Sequence, residues 1–176
     1  SLIALFLALV LGTLVGSADH VQGTIRTFPE ALLSRVIVVC EGASEVGLLR
    51  GLDQHDHEEG RPTLSALGVV AVDGGGDSKI AGRASAFSSL GFRTAILRDD
   101  DQGPPAGEAD YRAGGGQVFS WESGRALEDA LFEHLPEDSV RRLLAMSSER
   151  GGEPTVDDNI RSASNGSMRL DDCRGP

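Results

Sequence analysis

Three short apolar runs, each leading to an acidic residue within two positions, constrain this chain more than any other feature. Residues 35–40 (RVIVVC), 67–72 (LGVVAV) and 92–97 (FRTAIL) have strand length and no polar alternation, the pattern of strands covered on both faces. Helical patterns separate them. Val46, Leu48, Leu49 and Leu52 form a stripe after the first run. Residues 77–90 (DSKIAGRASAFSSL) form a second helix, with Asp77 or Ser78 as its N-cap and Gly91 closing it. A Gly/Pro-rich loop, 102–116, leads to a fourth short strand, QVFSW. The helical segment SGRALEDALFEHL then starts near Ser123, and Pro136 opens another, EDSVRRLLAM. This alternation predicts an α/β fold, with a mostly parallel sheet flanked by helices in the Rossmann-like manner and right-handed crossovers.

The two ends read differently. Residues 1–18 (SLIALFLALVLGTLVGSA) are uncharged and apolar. They suit an N-terminal helix that packs on a neighbour, and also a membrane or signal segment. No basic n-region precedes them and the chain starts at Ser1, so the sequence reads as a fragment whose residues 1–34 are a packed helix or the remnant of an upstream domain. Residues 149–176, rich in Gly, Ser, Asp and Pro, read as a disordered C-terminal tail. The folded domain is therefore expected over 35–148.

Charge and cysteine content narrow the function. A net charge of −11 excludes a protein that grips nucleic acid by surface charge alone, yet suits carboxylates that hold divalent cations. Cys40 and Cys173 form no disulfide framework and no C-x-x-C pair, which points to a reducing, cytoplasmic setting and against structural zinc. Arginine supplies all but one of the sixteen basic residues. Arg83, Arg93, Arg98 and Arg112 read as parts of a mixed surface.

Ligands in open parallel sheets collect where strand C-termini meet the following loops. Three ends carry acid: Glu41, Asp73 and the triplet Asp99-Asp100-Asp101. Neighbouring strands lie about 4.8 Å apart, so these carboxylates converge, and like charges that close repel unless a cation neutralises them. All-oxygen sets select Mg²⁺, Mn²⁺ or Ca²⁺. Side-chain alternation would send Asp99 and Asp101 to one side and Asp100 away. Glu45, at the start of the helix, can turn back to the same place, and Glu128 can reach in as an outer ligand.

The string VVCEGASEVGLLRGLD, followed by GVVAVDGGGDSK and LGFRTAILRDDD, resembles a Toprim domain. It is most similar to the Toprim region of the OLD (overcoming lysogenization defect) family of ATP-dependent endonucleases. The resemblance covers about residues 29–135 and implies a Toprim-like fold with metal-dependent cleavage of DNA. It implies one or two Mg²⁺ or Mn²⁺ ions, held by Glu41, Glu45, Asp99 and Asp101 with Asp73 and Glu128 as further ligands. Glu41, Asp99 and Asp101 would be the catalytic set. Full-length relatives carry an ABC-type ATPase domain ahead of this region, the implied partner and the implied route to a homodimer; no Walker A pattern occurs here, and no membrane partner is expected. The family also uses a basic residue beyond the ligands, for which Arg125, Arg141 and Arg142 are candidates by type only. A non-catalytic Toprim module that binds metal or nucleic acid, or docks an ATPase, is the alternative.

Structural readings stand beside these. Asp73 before three glycines suits a turn as well as a ligand, and Glu128 suits a surface helix. His55 and His57 in DQHDHEEG read as a solvated polar loop. A topoisomerase would need a nucleophilic tyrosine, and the sole tyrosine, Tyr111, lies in the Gly-rich loop.

Overall fold

The computed structural model describes residues 19–122 and 124–174. The apolar helix expected over 1–18 lies outside the described residues. A helix, α1 (Asp19–Thr27), and a 3-10 turn (Pro29–Leu33) lead into β1 (Val36–Cys40). There follow α2 (Ala43–Glu58), β2 (Val69–Asp73), α3 (Asp77–Ser89), β3 (Arg93–Arg98), α4 (Glu108–Ala113) and β4 (Gln117–Ser120). The four strands are parallel in the order β2-β1-β3-β4, as the alternation predicts.

The strand order explains where the site must be. The chain leaves β1 for β2 on one side and returns past β1 to β3 on the other. Right-handed crossovers in opposite directions put α2 and α3 on opposite faces, with α2 packed on β1 and β2, and α3 on β1 and β3. The two helices diverge at the C-terminal end of β1, leaving a crevice there.

The two faces are not equally dry. On the α3 face, Ile37, Val39, Val72 and Ile96 are buried with Ile80, Ala84 and Phe87 of the helix. Phe87 meets Phe92 edge-on at 6.3 Å between ring centres. On the α2 face Val36 and Val38 are only half-buried, so β1 is less enclosed than its apolar run implies. The helix stripe that covers this face buries Val46 but leaves Leu52 half exposed.

Several local expectations are corrected. The loop 102–116 contains α4, held by an Arg112–Glu108 pair one turn apart and by buried Tyr111. DQHDHEEG is not a loop up to Glu58: His55 and His57 occupy the last turn of α2, exposed. Neither Asp77 nor Ser78 caps α3, whose N-cap is Gly76. The helix expected from Ser123 begins at Leu127, as α5 (Leu127–His134).

The chain forms two compact units, one ending at Leu127 and a second over 128–176. In the second, the segment expected to be a disordered tail is helical. After α6 (Glu137–Gly151), which Pro136 precedes, come α7 (Glu153–Ala163) and α8 (Leu170–Arg174). Pro154 in the first turn suits a helix start. Leu170 is buried and donates its N–H to Asp157 at 2.8 Å, while Arg174 pairs with Glu153. Composition predicted disorder because these anchors are spaced too widely to show as periodicity. Among the described residues no helix is long and apolar enough to cross a membrane.

Two glycines provide a test of the packing. A Cβ at Gly74 would stand against the carbonyl oxygen of Cys40 and the side chain of Ile80, whereas one at Gly51, on α2, would meet nothing. Gly74→Ala should destabilise by about 1–3 kcal/mol, and Gly51→Ala should stabilise by up to about 1 kcal/mol. The two urea midpoints, read against that of the unmodified chain, check both signs.

Candidate metal centre

The crevice at the C-terminal end of β1 is a cavity of about 430 Å³ lined by Glu41, Gly42, Ser44, Glu45, Asp73, Gly75, Gly76 and Asp99. Four of the six acids singled out from the sequence thus face one space. The parallel register accounts for it: Cys40 stands opposite Asp73 on one side and Leu97 on the other, so each neighbouring residue leaves the sheet at the same edge.

Each of the four carboxylates is fixed by a main-chain N–H. Glu41 Oε2 accepts from Asp99 N–H at 3.1 Å, and Asp99 Oδ1 from Leu127 N–H at 2.9 Å. Glu45 Oε2 reaches back to Gly42 N–H at 2.8 Å across the first turn of α2, as N3 of a capping arrangement does. Asp73 Oδ1 accepts from Gly75 N–H at 2.7 Å, an Asx-type turn made possible by the positive φ of +75° at Gly75. One oxygen of a carboxylate accepting one N–H leaves capacity for a further partner.

The electrostatics match a cation site. Burial pushes the Glu41 carboxyl above its ordinary value. The Asp99 N–H opposes this, and the charges of Asp77, Asp99 and Glu45 add to the rise. A carboxyl raised by neighbouring carboxylates gains most from a nearby positive charge. The thiol of Cys40 is no donor. Burial first, then the charges of Glu45 and Asp73, push it up to about 12, so it stays protonated and inert. The donors are all oxygen, the set preferred by hard divalent cations. Among the described residues no three Asp, Glu, His or Cys side chains close around one point.

Two expected ligands stand elsewhere. Asp101 does not line the cavity: β3 ends at Arg98, so strand alternation no longer governs the triplet. Asp101 is exposed, its Oδ2 accepting from Gln102 at 3.3 Å. Glu128 is exposed in the first turn of α5. Asp100 does point away, as expected, onto Arg98 Nη1 at 2.9 Å. Tyr111 is buried and its hydroxyl shares a 2.9 Å hydrogen bond with Thr94, so it is not poised as a nucleophile.

Sequence reasoning missed the group behind the triplet. Arg98, read as surface, is 3% exposed. Its Nε donates to Glu108 Oε2 at 2.7 Å and its Nη1 also donates to the main-chain oxygen of Asp99. The signal was present in the Glu108/Arg112 spacing, but nothing local ties Glu108 to Arg98. Burial pushes the Glu108 carboxyl up, and hydrogen bonds from Arg112 and Arg98 more than offset it, leaving it below its ordinary value. A carboxyl depressed in the folded state contributes its stability above the unfolded value, about 4.3, and loses it as pH falls through the folded value. Glu108→Gln should therefore lower stability by about 2–3 kcal/mol at pH 7. The gap to the unmodified chain should narrow below about pH 4, as urea titrations at stepped pH would show.

Residues 32–101 match the family model described as overcoming lysogenization defect protein-like, TOPRIM domain. No curated protein and no solved structure gives a significant match. The matched segment runs from the end of the 3-10 turn through β3 and the acidic triplet.

Proposed function

Residues 32–101 being a Toprim domain of the OLD-like type, we propose that this chain hydrolyses phosphodiesters in DNA, using one or two Mg²⁺ or Mn²⁺ ions held at the end of β1. The observation that carries the reading is the cavity into which Glu41, Glu45, Asp73 and Asp99 converge. Glu41 and Asp99 are the inner ligands of the proposal, coupled through the Asp99 N–H. Glu45 and Asp73 line the same space and complete the proposed set.

Bound there, the metal supplies a water of lowered pKa and neutralises charge on the phosphoryl oxygens. The chain's own groups do the rest. Crowded carboxylates set the place of the cation, and their fixed N–H partners keep them from swinging to solvent. Glu41, raised above the usual carboxyl value by burial first, is the carboxylate whose charged form a bound cation would favour most. Arg125 accepts the Asp100 N–H on its main-chain oxygen at 3.0 Å, and its guanidinium pairs with Glu122 at 3.9 Å; it is the basic residue this reading proposes beyond the ligands. In this reading an ABC-type ATPase domain is the working partner, as the family resemblance implies.

Conversion of supercoiled plasmid to nicked circle, followed with Mn²⁺, Mg²⁺ or EDTA, tests the proposal. Metal-dependent nicking is expected, falling by about 100-fold or more in Glu41→Ala and in Asp99→Ala. Nicking that survives both substitutions would place the chemistry elsewhere. Metal-induced thermal stabilisation without any nicking would assign the chain to the non-catalytic class instead.

A further inference from the structure

Arg98 is the last residue of β3, and its guanidinium is sealed from water with Glu108, each side chain 4% exposed. A buried ion pair is often no more stabilising than apolar side chains of equal volume. Its geometry here does something apolar packing would not. Arg98 spends Nε on Glu108 and Nη1 on both the Asp99 carbonyl and the Asp100 carboxylate. One planar fork thus holds the peptide that follows Asp99 and turns the second acid of the triplet onto itself. Glu108, whose other oxygen accepts from Arg112 at 2.7 Å, holds the fork in turn.

Asp99 is therefore tied at four points. Its carbonyl goes to Arg98, its N–H to Glu41, its Oδ1 to Leu127 N–H, and the next peptide pairs with the β4–α5 loop through Asp100 N–H to Arg125 O and Gly124 N–H to Asp100 O. Because the Asp99 N–H is itself the partner of Glu41, any displacement of this peptide moves two cavity carboxylates together. We propose that Arg98 and Glu108 are positioning residues of the metal centre, setting the separation of the Glu41 and Asp99 carboxylates from behind without touching the ion. This rests on the metal reading given above. It assigns to a buried pair the role that outer partners of ligands play in metal sites, where their loss typically costs about 10–100-fold in affinity.

The experiment is Mn²⁺ affinity of the full chain, read from the free-ion electron paramagnetic resonance signal. The unmodified chain is compared with Arg98→Lys, Glu108→Gln and Phe87→Leu. Lysine keeps the charge and loses the fork; glutamine keeps an acceptor for Arg98 and is the milder variant if Arg98→Lys fails to fold. Phe87→Leu loosens the core away from this network and reports what general destabilisation does. The proposal expects the Mn²⁺ dissociation constant to rise about 10-fold or more in Arg98→Lys and Glu108→Gln, with little change in Phe87→Leu. Unchanged affinity in Arg98→Lys and Glu108→Gln, or an equal loss in Phe87→Leu, overturns the positioning role and leaves the metal reading intact. No Mn²⁺ uptake by the unmodified chain overturns both.

Discussion

Mutual repulsion among carboxylates at one edge of a parallel sheet is the constraint on which this structure turns. With strands in the order β2-β1-β3-β4, acids at the end of β2 and just beyond the ends of β1 and β3 come to one crevice. Solvent screens part of the repulsion, but Glu45 is buried and Glu41 half-buried, where screening weakens. The fold answers with a main-chain N–H for each carboxylate, and Glu41 still stands above its ordinary value, through burial first and the neighbouring charges second. A divalent cation bound there, as proposed above, would complete the balance.

The supports are residues beside or behind the acids of the cavity. Gly74 sits so close to Cys40 and Ile80 that only hydrogen fits in place of a side chain, and this lets the turn after β2 fold back against the end of β1. Arg83 braces that turn from α3, donating to the Asp73 carbonyl at 2.6 Å while lying over the Phe28 ring. Arg98 braces the turn after β3 in the same fashion. Two arginines thus hold the two acidic turns by their carbonyls, leaving the carboxylates directed at the crevice.

What could be read from the chain follows from range. Strand length and apolar content are local properties, so β1, β2 and β3 were legible to within two residues, and the acids that follow them pointed to one edge of the sheet. The features that were not legible depend on partners distant in sequence. Arg98 became a buried group only because Glu108, on a helix hidden in a Gly/Pro-rich stretch, folds over it. Asp101 was expected beside Asp99 by strand alternation, which stops where the strand stops. The helices α7 and α8 are anchored by Leu170, Asp157 and the Arg174–Glu153 pair, contacts that span 13 and 21 residues, so polar composition concealed them.

The position of a bound ion decides whether the crevice at the end of β1 is a metal site. Crystals of the chain grown or soaked with Mn²⁺ would reveal it by anomalous scattering at the manganese edge. The account predicts a peak in the crevice at the end of β1, within coordination distance, about 2.0–2.3 Å, of carboxylate oxygens of Glu41 and Asp99. A fully occupied peak elsewhere on the chain, with this crevice holding only water, would contradict it.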